Sequence, residues 1–170
     1  QGGTVTLGQV NNAGGQYLND LTVKLFTAAE TGTTQTAGVL KLTGDVKLDG
    51  TTTDAGSLVV TGGSAGTTAL TRRGQVQVVP DALNASSTLV TISTAQSAVT
   101  AGDVDLGTTQ LTATTAGTDL TIDVSRDQKQ GGTVTLGQVN NAGGQYLNDL
   151  TVKLFTAAET GTTQTAGVLK

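Results

Sequence analysis

Apolar residues recur at every second position in short runs along the whole chain, and clusters of Gly, Thr, Asn and Asp separate these runs. Alternation with a period of two predicts β-strands that bury one face, here about four to seven residues long. The spacing typical of an amphipathic helix is nearly absent. The pattern therefore predicts an all-β fold built from many short strands.

The predicted strands are of two types. The first reads Gly-x-Val-x-Leu or a close variant, and the second places Leu two residues before Val or Ile. The first type contains Val5, Val46, Val76, Val104 and Val134. The second begins at Leu21, Leu58, Leu120 and Leu150 and, more loosely, at Leu89, where Ile92 follows three residues later. After a longer first interval, the spacing within each type is about 30 residues, a period typical of stacked repeats. This sub-period predicts about four structural units across residues 1–129.

One stretch of the chain occurs twice without a change. Residues 1–41 return as residues 130–170, so that Gln1 recurs at Gln130 and Lys41 at Lys170. We interpret residues 1–129 as one full repeat of about four β-coils and residues 130–170 as the start of the next identical repeat. We expect the chain to belong to a longer tandem array.

Strands at a fixed period with Gly-rich turns favour a parallel β-helix, or β-solenoid, with coils of about 30 residues. Each coil would add about 4.8 Å, so four coils would give about 19 Å per repeat. Val, Leu and Ile would face inwards, while Thr, Lys, Gln and Asp would face water. The alternative is a tandem β-sandwich of the immunoglobulin-like type, because about ten short strands per repeat also suit that fold.

Composition narrows the classes of function. Cys is absent, which excludes disulfides and thiolate metal sites. The net charge of −4, with scattered Lys and Arg, lacks the basic surface of a nucleic-acid-binding protein. No apolar run approaches the ~20 residues that span a bilayer, so we expect no membrane span in this segment. His is absent and acidic residues are thinly spread, so we predict no enzyme activity and no catalytic residues.

Aspartates are the candidate metal ligands. Asp103 and Asp105 flank Val104 on one predicted strand, and Asp119 and Asp123 lie at alternate positions on the next strand of the second type. Oxygen ligands suit Ca²⁺. However, the loops of EF-hand and repeat-in-toxin calcium sites are missing, so a solvated polar face is the favoured interpretation. We therefore expect no cofactor, with calcium as the weak candidate.

Four further residues are candidates for lateral contacts between fibres. Tyr17 and Phe26 are the aromatic residues of the repeat, and Arg72 and Arg73 form its one adjacent basic pair. Packing over a corner of the core is the favoured interpretation for the two aromatic side chains. Exposure at a corner is the favoured interpretation for the arginines.

The alternation of Gly-x-Val-x-Leu-Gly with Asn/Gly-x-Leu-x-Val, with GG and TTG corners, resembles the "beta strand repeat" proteins of bacterial surfaces. These are similar in style to filamentous-haemagglutinin-like and autotransporter-passenger regions. The resemblance covers essentially the whole chain and rests on rhythm rather than on a diagnostic motif. It implies an extracellular or cell-surface stalk that acts as an adhesin or filament.

The partners implied by this resemblance are neighbouring repeats of the same chain, like fibres and surface glycans, and no catalytic residue is carried over. A carbohydrate- or calcium-binding surface module is the alternative function.

Overall fold

The computed structural model describes residues 2–10, 18–26, 35–48, 56–62, 70–72, 75–79, 89–94, 101–114, 118–125, 131–139, 147–155 and 165–170. These residues form strands and turns with no helix among them, which confirms the predicted all-β class. Accordingly, this part of the chain has no helix long and apolar enough to cross a membrane. The strands are β1 Thr4–Leu7, β2 Leu21–Lys24, β3 Gln35–Thr36, β4 Val39–Leu42, β5 Val46–Lys47, β6 Leu58–Thr61, β7 Leu70–Arg72, β8 Gln75–Val78, β9 Leu89–Ser93, β10 Val104–Ala113, β11 Thr118–Asp123, β12 Thr133–Val139, β13 Leu147–Lys153 and β14 Val168–Leu169.

Strand pairing within the described segments is parallel throughout. The strands make an eight-stranded sheet, a four-stranded sheet and the β3–β7 pair. An immunoglobulin-like sandwich has antiparallel sheets. The described strands therefore do not form the sandwich that was the alternative fold.

The pairings of the two larger sheets form three ladders. The first ladder contains β1, β4, β8 and the C-terminal ends of β10 and β12. The second ladder contains β2, β6, the N-terminal ends of β10 and β12, and β14. The third ladder contains Val10, β5, β9, β11 and β13. Along the chain, Val10 and the strands of the two larger sheets visit the ladders in the order first, third, second, and they do so five times in succession, while β3 and β7 lie outside the three ladders.

The register corrects the evenly spaced sub-period that the sequence predicted. That spacing does hold where Val104 pairs with Val134 and where Leu120 pairs with Leu150. Earlier in the chain, Val5 pairs with Leu40 rather than lying in line with Val46. Val5 and Leu40 are 35 residues apart, whereas Val104 and Val134 are 30 apart, because the stretches of chain between paired residues differ in length.

The core consists of aliphatic residues stacked directly on one another along each ladder. Three consecutive levels give Leu40, Val76 and Leu111 in the first ladder, Leu58, Val104 and Val134 in the second, and Val46, Ile92 and Ile122 in the third. All nine side chains are buried. The alternation that predicted the strands thus also predicted that these side chains face inwards, since successive residues of a strand point to opposite faces. The prediction was wrong for Leu89, which is 44% exposed, because Val90 and Ile92 are the inward residues of β9.

Several polar residues do not face water as predicted. Gln75 is buried, where its Nε2 donates to Oε1 of Gln110 at 3.3 Å and its Oε1 accepts from Nε2 of Gln77 at 3.1 Å. Thr109 is also buried, and its hydroxyl donates to the Leu106 carbonyl at 2.8 Å. Hydrogen bonds to stacked or nearby groups offset the loss of water around these side chains.

Glycines lie where neighbouring strands begin, and their small size is required there. A Cβ on Gly102 would collide with the carbonyl oxygen of Gly56, and a Cβ on Gly132 would collide with the carbonyl oxygen of Gly102. Each glycine comes two residues before a buried residue of the second ladder. The Gly-x-Val-x-Leu motif therefore combines a close backbone approach with the two inward positions that follow it.

Candidate functional site

The four candidate calcium ligands lie in two different sheets. Asp103 directly precedes β10 and Asp105 lies within it, and both are exposed. Asp119 and Asp123 lie on β11 in the four-stranded sheet, and both are half-buried. Within the described segments, no three His, Cys, Asp or Glu side chains come together as metal ligands. The structure thus keeps the two aspartate pairs on separate ladders.

Asp103 and Asp119 each accept a backbone hydrogen bond from the next level of their ladder. Oδ1 of Asp103 accepts from the N–H of Thr133 at 2.6 Å. Oδ1 of Asp119 accepts from the N–H of Asp149 at 3.2 Å and from Nδ2 of Asn148 at 3.0 Å. These carboxylates therefore connect neighbouring levels, a structural role that provides backbone N–H groups with an acceptor.

The same bond occurs at two aspartates that sequence reasoning did not select for this role. Oδ1 of Asp20 accepts from the N–H of Ser57 at 2.9 Å, and Oδ1 of Asp45 accepts from the N–H of Thr91 at 2.9 Å. In all four cases the aspartate and its donor each directly precede one residue of an apolar pair, for example Leu21 and Leu58 or Leu120 and Leu150. We call these four residues the ladder aspartates: Asp20, Asp45, Asp103 and Asp119.

A sequence signal for the ladder aspartates exists. Each is followed by an apolar residue, a polar residue and a second apolar residue, as in Asp20-Leu-Thr-Val23 and Asp103-Val-Asp-Leu106. The motif alone does not show this role, because the residue that donates to each aspartate lies at a distant position in the chain, as Ser57 does for Asp20 and Thr91 does for Asp45.

The two remaining candidates hydrogen-bond within their own strand or turn. Oδ1 of Asp105 accepts from the N–H of Gly107 at 2.9 Å, where the register of β10 shifts between its two ladders. Oδ1 of Asp123 accepts from the N–H and hydroxyl of Ser125, and its Oδ2 lies 3.9 Å from Nζ of Lys153. Both carboxylates therefore stabilise the local backbone, and Asp123 also lies near a lysine of the neighbouring strand.

The candidates for lateral contact are only partly described. Tyr17 and Arg73 lie outside the described residues, and Arg72 is described only as the last backbone position of β7, paired with Thr36. Phe26 is half-buried just after β2, whereas its copy Phe155 is 53% exposed. The packing of Phe26 over a corner stays a prediction.

The two ends of the ladders expose apolar residues that are buried in the other copy of the same sequence. Val5 is 40% exposed, whereas its copy Val134 is 0% exposed. Conversely, Leu40 is 0% exposed, whereas its copy Leu169 is 50% exposed. Since the local sequences are identical, the difference comes only from whether a further strand covers the residue.

Comparisons of the chain with protein-family models, with curated proteins and with solved structures found no match.

Proposed function

We propose that the chain is a repeat unit of a long extracellular structural or adhesive fibre, and that its strands coil as a right-handed parallel β-solenoid. The fixed order of first, third and second ladder supports the coil, because a chain that returns to the same ladder after visiting the other two makes one turn. Parallel crossovers are right-handed in nearly all proteins.

The two copies of one sequence carry this proposal. Val5 and Leu169 are exposed at opposite ends of the ladders, while the copy of each, covered by a further level, is fully buried. A repeat whose two ends each present a sheet edge and an unfinished aliphatic column is suited to continuation by another repeat. Continued in this way, the same columns would run the length of a fibre.

The backbone ladders and the aliphatic interior of such a fibre support a structural role. Backbone ladders along the axis and a continuous aliphatic interior resist bending and extension, and need neither cofactor nor catalytic group. The ladder aspartates add hydrogen bonds in the same axial direction, for example from Thr133 to Asp103. Side chains that repeat along the outside suit adhesion through many weak contacts.

Electron microscopy of arrays with one, two and three repeats tests the fibre. With about 35 residues per coil and ~4.8 Å between levels, each repeat should lengthen the rod by about 18 Å. Compact beads, each the size of one repeat, would add about 36 Å, by the size scaling of compact domains. Beads of that spacing, or rods that do not lengthen, would overturn the proposed architecture.

The extracellular location is tested with an antibody raised against the whole chain of residues 1–170. We expect gold labelling of intact, unpermeabilised source cells along projecting fibres. Labelling that requires permeabilisation would contradict the location. Saturable binding of one glycan by a single repeat would favour a carbohydrate-binding module instead.

A further inference from the structure

The two identical copies occupy different ladders. Thr4–Leu7 lies in the first ladder, whereas its copy within β12 pairs with Val104–Leu106 in the second. Likewise, Leu21–Lys24 lies in the second ladder, whereas its copy within β13 lies in the third.

Val10, which lies between these two strands in sequence, is displaced by one ladder in the same way. Val10 pairs with Val46 in the third ladder, whereas its copy Val139 pairs with Leu111 in the first. All three parts of the duplicated segment are therefore displaced by one ladder in the same sense.

Several contacts inside the two copies are equivalent, although the copies lie in different ladders. Thr4 pairs with Val39 and, in the second copy, Thr133 pairs with Val168. The N–H of Gly38 donates to the Leu25 carbonyl at 2.7 Å, and the equivalent bond from Gly167 to Leu154 is also 2.7 Å. Each copy keeps its own contacts and meets the rest of the chain on a different ladder.

We infer that each repeat, from one copy of the duplicated segment to the next, makes three and two-thirds turns, so that successive copies face directions about one third of a turn apart. This inference rests on the proposed solenoid. Counting the ladder visits from Thr4 to Thr133 gives three complete rounds and two further ladders. Dividing the offset between these two residues by three and two-thirds gives roughly 35 residues per turn, within the range of known repeat lengths. The pairing of Thr4 with Val39 one level further along has the same interval.

The functional consequence is that successive repeats present the same surface on three sides of the fibre. Any surface carried by the repeat returns on the next face, about 18 Å further along, and comes back to the first face after three repeats and eleven coils. An array would therefore engage like fibres on every side, which suits a cross-linked meshwork. A repeat with a whole number of coils would present all its copies on one side and suit flat alignment.

Spin labels on the full chain of residues 1–170 test the turn. The chain has no Cys, so double Cys variants are labelled only at the chosen sites. Val59 pairs directly with Asp105, and Asp105 pairs with Thr135. If each repeat made a whole number of coils, Thr135 would lie in the same ladder as its copy Thr6. Asp105, which pairs with Thr135, would then have to follow Thr6, Lys41 and Gln77 in the first ladder.

We expect strong dipolar broadening of the electron paramagnetic resonance spectrum for Val59→Cys/Asp105→Cys and none for Gln77→Cys/Asp105→Cys, because directly paired residues lie about 4.8 Å apart. The reverse result would overturn the fractional turn and leave the solenoid intact. Asp105→Cys/Thr135→Cys must broaden in either arrangement. If that control does not broaden in a folded variant, the proposed solenoid fails and this inference fails with it.

A second set of labels keeps the test decisive if Val59→Cys/Asp105→Cys does not fold. Asp45 and Thr91 are stacked in the third ladder and joined by a hydrogen bond of 2.9 Å. Broadening is expected for Asp45→Cys/Thr91→Cys and not for Val59→Cys/Thr91→Cys. Broadening of the latter pair alone would again favour a whole number of coils.

Discussion

Single residues in the two copies provide matched pairs in which sequence is constant and the environment differs. Gly3 has open space where a Cβ would be added, whereas its copy Gly132 lies against the carbonyl oxygen of Gly102. Nothing in the local sequence distinguishes these two glycines. Any difference between them therefore measures the effect of the neighbouring level alone.

We predict that Gly132→Ala destabilises the chain by about 1–3 kcal/mol, the usual cost of forcing an extra carbon into a packed site. Gly3→Ala should be near neutral or slightly stabilising, because its Cβ meets open space. Both variants also reduce the conformational entropy of the unfolded chain, so this effect does not distinguish them. Urea denaturation followed by circular dichroism measures the difference. Equal midpoints for the two variants would contradict the close approach at Gly132.

The ladder aspartates allow a similar comparison. Asp20 accepts from the N–H of Ser57, whereas its copy Asp149 lies on β13, the last strand of its ladder. We predict that Asp20→Ala costs about 1 kcal/mol, since an exposed hydrogen bond to a carboxylate falls at the lower end of the usual range. Asp149→Ala should cost much less.

Thermal melts measure the effect of both substitutions, and Asp20→Asn should retain part of the stability because its side-chain carbonyl can still accept. Melts with and without Ca²⁺ separate hydrogen bonding from metal binding. A midpoint that rises with Ca²⁺ and loses this dependence in Asp103→Ala would favour the calcium site over the ladder bond.

At the scale of elements, the sequence predicted strands and their inward faces more successfully than it predicted their partners. Alternation is a local property, so Leu58–Thr61 and Leu120–Asp123 could be read directly from the chain. Which strands pair depends on the number of residues between them. That number differs widely, since Asp119 and the Asp149 stacked on it are much closer in sequence than Asp45 and the Thr91 stacked on it.

The candidate site was predicted less well for a related reason. The alternation placed Asp103 and Asp105 on one polar face, but the hydrogen-bond partner of Asp103 comes from another level and that of Asp105 from the register shift within the same strand. Knowing that Thr133 stacks on Asp103 requires the register. The same limit applies to buried Gln75, whose partner Gln110 is 35 residues away.

Amide exchange tests the pairing of individual strands. We predict slow exchange for β4, which is paired on both sides, and fast exchange for its copy β14, which is paired on one side. Peptides of the sequence Ala-Gly-Val-Leu-Lys from the two copies have the same mass. Mass spectrometry should therefore give two isotope envelopes for this peptide, and a single envelope would contradict the different coverage of the two copies.

At the scale of the whole molecule, the unfavourable free energy of the two uncovered ends is the same for every array, while the number of covered levels grows with length. Stability in such linear assemblies is approximately a sum of unit and nearest-neighbour contributions. We therefore predict that stability rises steeply from one to two repeats and continues to rise with a third. Chemical denaturation of the three arrays measures this, and identical midpoints would show that the repeats fold independently.

The fixed order in which the chain visits its ladders links length to orientation. In the proposed fibre, the loss of one repeat leaves every remaining strand with the same kind of neighbours as before. The fractional turn that we infer would nevertheless rotate everything beyond the deletion by about a third of a revolution. A domain at the tip of such a fibre would thus have one of three orientations about the fibre axis. Variation in repeat number would change this orientation as well as the length of the fibre.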